Sequence, residues 1–171
     1  MSIPLAETEI PPLAAVCGLY CGACSVYLAT REDPQRLAAL AARLGQTEAE
    51  TRCGGCRAEV RSAHCRSCDL ASCATNRGIA FCGECAEFPC PRFQAFQAAL
   101  PHRRDILRDL SRILEIGVND WMGEIPERYT CPSCHIPNSA YDLTCRRCGH
   151  IPGSAFAATH GAAIHDHLGR R

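Results

Sequence analysis

Residues 65–90 read CRSCDLASCATNRGIAFCGECAEFPC, two copies of the pattern Cys-x2-Cys-x4-Cys set 17 residues apart. Cys65, Cys68 and Cys73 form the first copy, and Cys82, Cys85 and Cys90 form the second. Two thiols at Cys-x2-Cys spacing reach adjacent corners of a metal tetrahedron, so the repeat predicts a segment folded around metal-bound loops. A large apolar core is not its organising principle.

Immediately upstream, Cys53-Gly-Gly-Cys56 supplies another such pair, with glycines free to take the positive φ that turns backbone amides toward sulfur. Further out lie Cys17, Cys21 and Cys24. Adjacency alone groups Cys53, Cys56, Cys65 and Cys68 at one metal and Cys73, Cys82, Cys85 and Cys90 at a second. That leaves Cys17, Cys21 and Cys24 one ligand short, and His64 is the candidate for the vacancy. The 17-residue repeat suggests a rival, interleaved arrangement in which Cys65 and Cys68 share a metal with Cys82 and Cys85. Both partitions stay open at the level of sequence.

The spacing Cys17-x3-Cys21-x2-Cys24 is also the one with which radical SAM enzymes hold a [4Fe-4S] cluster. Those enzymes need a partial β/α barrel of roughly 200 residues or more, and this chain of 171 residues lacks the alternation of strands and helices. An iron-sulfur or thiol-redox role for the N-terminal cysteines is kept as the alternative to zinc.

Far downstream, Cys131-Pro-Ser-Cys134 and Cys145-Arg-Arg-Cys148 form a separate set. Four thiolates close a tetrahedron and leave no position for water, so the metal expected here is structural zinc, with iron as the minor alternative. Zinc bound to such a segment stabilises it by about 10–16 kcal/mol, enough to fold residues with little core of their own. The expected form is a β-hairpin zinc ribbon over 128–150.

Fifteen cysteines is an odd number, which excludes complete internal disulfide pairing. The N-terminal residues have no basic n-region, so they do not read as a secretory leader, and thiols at this spacing fit a reducing cytoplasm. No apolar run approaches the roughly 18 residues of a membrane span. Formal charge is zero and all 18 basic residues are arginine. Zero charge disfavours nucleic acid as a partner, although Arg128, Arg146 and Arg147 sit near the ribbon. The absence of lysine excludes Schiff-base and P-loop chemistry on that side chain. A protein partner is compatible with these features, and no catalytic triad, phosphate loop or carboxylate pair argues for an enzyme.

Helix signals fill the rest. A short helix is expected from Ser25, capped by its hydroxyl. Asp33-Pro34 and Gly45 bracket a second, with Leu37, Leu40, Ala41 and Leu44 on one face. Thr47 with Glu50 resembles a capping box. Asp69 is expected to cap a helix through Cys73 to Gly78, and Pro91 to open one running to Leu100. Ile106, Leu107, Leu110, Ile113 and Leu114 mark a further helix ended by Gly117, with Trp121 and Met122 packing against its last turn. The chain thus divides into a lead-in (1–16), a helical Cys-rich domain (17–100), a connecting helix (101–127), the ribbon (128–150) and a flexible tail (151–171) carrying His160, His165 and His167.

CGLYCGACSVYLAT (17–30), CGGC (53–56), HCRSCDLASCATNRGIAFCGECAEFPC (64–90), HRRDILRDLSRILEIGVNDW (102–121) and CPSCHIPNSAYDLTCRRCG (131–149) together resemble the DUF3795 family of cysteine-rich bacterial and archaeal proteins. The resemblance covers roughly residues 17–149. It implies metal binding, with zinc foremost, and cytoplasmic residence, and it implies no reaction. One departure is His135, where a glycine often follows the second ribbon cysteine. The fold expected overall is small, metal-stabilised and mostly α: a helical Cys-rich domain followed by the β-hairpin ribbon.

Overall fold

Helix punctuation in the sequence sets most of the element boundaries in the computed structural model, which describes residues 9–170. Helix α1 (Ser25–Glu32) takes Cys24, not Ser25, as its N-cap. In α2 (Pro34–Leu44) the Asp33 carboxylate accepts from the Arg36 amide at 2.9 Å, proline occupies the first turn, and Gly45 closes the helix at φ 65°. Leu37 and Leu40 pack with Ala29 and Val26 into a small satellite core, while Leu44 stays half exposed. The Thr47–Glu50 capping box forms in full, and it holds the single-turn α3 (Glu48–Thr51).

The repeat region carries α4 (Ala63–Arg66) and α5 (Asp69–Arg77), and α5 ends at Gly78 with φ 65°. Cys68 occupies the N-cap position of α5, so Asp69 lies in the first turn, where a carboxylate complements the helix dipole. After the second repeat come α6 (Pro91–Ala99), α7 (Ile106–Ile116) and α8 (Val118–Glu124), flanked by 3-10 turns at Pro101–Arg103 and Ile125–Tyr129. Gly117 breaks the run at φ 87°, which makes two short helices of the expected connector. Ile106, Leu110 and Ile113 face inward and Leu107 and Leu114 outward, so the buried stripe is narrower than the apolar one.

One buried cluster unites distant parts of the chain. Ala14, Cys17, Phe81, Phe93, Leu110, Trp121, Ala140, Phe156 and Ile164 all belong to it. Three expectations are corrected here. The lead-in falls partly outside the described residues, yet Ala14, Ala15 and Val16 are buried, so its last part is core rather than loosely docked chain. The expected flexible tail is α9 (Ala155–Gly169), capped by the Ser154 hydroxyl, with Phe156, Ala157 and Ile164 buried. Its Ala-rich composition hid a helix whose Phe156 and Ile164 meet the core, while Leu168 stays exposed.

The third correction concerns the ribbon. Among the described residues there is no β-strand, and a C-terminal β-hairpin is not formed; β-type pairing is limited to isolated bridges, Ala14 with Tyr20 and Thr130 with Pro137. Among the ten residues between the two Cys-x2-Cys turns, side-chain bonds and bonds to distant backbone limit further pairing. Asn138 is fully buried; its side chain donates to the Gly153 carbonyl at 2.7 Å and accepts from the Arg146 amide at 3.1 Å. The Ser139 amide donates to Asp142 at 2.7 Å, and the Ala140 amide to the Ala23 carbonyl at 3.0 Å. The amides of Cys131 and Asn138 make the two bonds of the Thr130–Pro137 bridge, to the Ile136 and Tyr129 carbonyls at 2.9 Å, and the pairing goes no further.

Candidate metal centre

The C-terminal cysteines come together through two copies of one turn. In the first, the His135 amide donates to the Cys131 carbonyl at 3.0 Å and the Cys131 amide to the Ile136 carbonyl at 2.9 Å. In the second, Gly149 donates to Cys145 at 3.0 Å and Cys145 to His150 at 2.8 Å. Both turns need a left-handed residue after the second cysteine. Gly149 meets it at φ 76°, and His135 adopts φ 58° despite its side chain.

This repetition faces the two pairs toward each other. Sγ of Cys131 lies 3.6 Å from Sγ of Cys148, and Sγ of Cys134 lies 3.6 Å from Sγ of Cys145. All four sulfurs fall within 4.8 Å of one another, a set that could hold a metal ion. Cys131 and Cys145 are buried, and Cys148 is exposed. Backbone amides supply donors: Ser133 to the Cys131 sulfur at 3.4 Å, and those of Cys148 and Arg147 toward Cys145. Burial pushes the Cys145 thiol up, but these amides and Asn138 outweigh it and bring the group well below its ordinary value. The His150 amide leads in lowering Cys148. At Cys134 the Ile136 amide pulls down, while burial and the three other thiols prevail and raise it. A cation bound by the four sulfurs would displace their protons.

The N-terminal cysteines gather more loosely. Among the described residues only the C-terminal set closes to 4.8 Å. Cys73, Cys82, Cys85 and Cys90 line one cleft of about 40 Å³ between α5 and α6. Arg77 donates to the Cys85 sulfur at 3.2 Å and to Glu87 at 3.1 Å across its mouth. Cys53 and Cys65 share a hydrogen bond that lowers the first thiol and raises the second. Cys56 and Cys68 lie instead toward Cys17, whose thiol burial pushes up to about 12. Cys24 faces Cys53, and Cys21 faces both Cys24 and Cys56. Gly55 permits the Cys53–Cys56 turn: at φ 122° it sits so close to Pro12 that a Cβ there would lie 2.4 Å from the Pro12 carbonyl oxygen.

His64, the candidate for the vacancy beside Cys17, Cys21 and Cys24, is exposed on α4. The residues that spacing gave no signal for are arginines. Arg57 reaches the carbonyl oxygens of Ala14 and Ala80 and lies over the Phe81 ring, in the field of Cys56, Cys21 and Cys17. Arg103 is 7 % exposed, stacked 3.6 Å from the Phe96 ring, and in the field of Cys17 and Cys68. Nothing in their sequence context distinguishes them from the surface arginines of α7.

Fold and site define a cysteine-rich helical protein with a four-sulfur centre able to hold a metal ion. Residues 13–95 match the family described as "Protein of unknown function (DUF3795)". That match supports the resemblance over the N-terminal part of the chain, and the four-sulfur set at 131–148 lies beyond it. No curated protein and no solved structure matches the chain. Among the described residues, no helix is long and apolar enough to cross a membrane.

Proposed function

We propose that the protein is a multi-site zinc protein whose metals are structural, acting as a non-catalytic binding or adaptor module in the cytoplasm. The observation that carries this reading is the closed C-terminal set, four sulfurs within 4.8 Å with amide donors around them. Sulfur in every position leaves no open site for water or substrate, which separates structural from catalytic zinc. What the metal would hold is visible around it. Arg36 of α2 contacts Asp142 and Ser139 at 3.1 Å, and Arg146 pairs with Glu32 of α1 at 2.6 Å. The metal loop is thereby fastened to the helices that follow the first cysteines.

Zinc fits the borderline-soft, all-thiolate donor set and needs no redox partner. Metal analysis with an absorption spectrum of anaerobically purified protein tests the reading. Several zinc ions with no visible band support it. A brown protein carrying acid-labile sulfide overturns it in favour of an iron-sulfur protein.

A further inference from the structure

Four tetrahedral all-sulfur sites need sixteen ligand positions, and the chain has fifteen cysteines. We propose that the sulfur of Cys82 fills two of those positions, bridging a metal held by Cys73, Cys85 and Cys90 to a second held by Cys17, Cys56 and Cys68. The remaining cysteines then close without help: Cys21, Cys24, Cys53 and Cys65 at a third metal, and the C-terminal four at a fourth. The inference rests on the multi-site zinc reading and adds to it a dinuclear centre with a named bridge.

Geometry places Cys82 between the two groups. With Cys73, Cys85 and Cys90 it lines the cleft between α5 and α6. Its backbone amide donates to the Val16 carbonyl at 2.9 Å, which seats it beside Cys17. The thiols that act on Cys82 come from both sides, Cys90, Cys73 and Cys85 from one and Cys68 from the other. Those acting on buried Cys17 are Cys56, Cys68 and Cys82. These sulfurs are more widely spaced than the C-terminal four, and each cysteine has a single side-chain torsion through which its sulfur can turn.

The buried arginines supply an independent argument. Seven thiolates outweigh two divalent cations, so the proposed centre is anionic and needs cationic surroundings. Arg103 is nine-tenths buried, spends one donor on the Phe96 carbonyl, and its Nε has no hydrogen-bond partner among the described residues. Arg57 donates to carbonyls beside Cys17 and Cys56, with Glu84 as its carboxylate neighbour, so Arg103 is the guanidinium set among neutral groups. Desolvating a guanidinium among neutral groups is costly. Thiolates at Cys17, Cys56 and Cys68 would offset that cost, and Arg77, which donates to the Cys85 sulfur at 3.2 Å, sets a further cation on the other side of the centre. As each metal binds, the thiols it takes release their protons to solvent and no electron moves.

The test loads the full chain anaerobically with 113Cd2+ and records one-dimensional 113Cd and 1H–113Cd correlation spectra beside native mass spectrometry. Four ions should bind, two of the four resonances should show 113Cd–113Cd coupling, and the Cys82 β-protons should correlate with both. Cys82→Ser should abolish the coupling, whereas Cys21→Ser should leave it. The wild-type correlations decide the matter even if Cys82→Ser does not fold. Several bound ions without coupling, coupling carried by Cys21, or coupling that survives Cys82→Ser would overturn the bridge while leaving the multi-site reading intact. A chain that binds no cadmium or zinc would overturn both.

Discussion

His135 shows how a single residue can pay for a metal turn. The two Cys-x2-Cys turns match in their hydrogen bonds, but glycine supplies the left-handed position only in the second, at Gly149. In the first, His135 sits at φ 58°, where a side chain costs about 1–2 kcal/mol. Replacing His135 by Gly should therefore tighten metal at the C-terminal set by roughly tenfold, the equivalent of about 1.4 kcal/mol, read by competition with a chromophoric chelator. Gly149→Val should weaken it by at least as much. Equal affinities in all three proteins would show that these dihedrals carry no strain. The oddity of His135 was legible in the sequence as a departure from a glycine, because the requirement is local. The places of Arg57 and Arg103 were not, since a buried guanidinium is defined by what surrounds it in space.

At the scale of elements, punctuation was readable and destination was not. Asp33, Pro34 and Gly45 delimit α2 through contacts no more than a turn away, and the Thr47–Glu50 box is equally local. The β-hairpin expectation failed because strand pairing depends on what else competes for the backbone: past the single Thr130–Pro137 bridge, the amides of Ser139 and Ala140 go to Asp142 and Ala23 instead. Helix α9 failed as a flexible tail for a related reason. Its large apolar residues are few but two of them are fully buried: Phe156 is 1 % exposed, with its ring 5.0 Å from that of Tyr129, and Ile164 is wholly buried, while His160 meets Asp105 at 3.1 Å. Removing the ring with Phe156→Ala should cost about 3–5 kcal/mol, seen as a lower urea midpoint together with faster amide exchange along the whole of α9. Exchange that is fast in the wild-type protein as well would return α9 to the status of a tail.

For the whole molecule, the question is whether the C-terminal metal loop unfolds by itself. A sequence divided into a Cys-rich domain and a ribbon predicts that it does, with each part losing its own metal. The packing argues otherwise. Ala140, inside the loop, lies in the same buried cluster as Cys17, Phe81 and Trp121, and its amide bonds to Ala23 in the first cysteine turn. Arg36–Asp142 and Arg146–Glu32 add two ties between the loop and α1–α2. Surface pairs contribute little individually, but Arg36 also reaches Ser139, whose side chain is wholly buried. Losing the metal at Cys131, Cys134, Cys145 and Cys148 thus frees Ala140 and exposes the core beneath it. Cys134→Ser should move a single cooperative transition to lower temperature, with the signal of the lone tryptophan, Trp121, and the far-UV signal of the helices shifting together. If the variant instead showed an early transition confined to 131–148 while Trp121 melted at the wild-type midpoint, the loop would be an independent module and the shared core would not couple it to the rest.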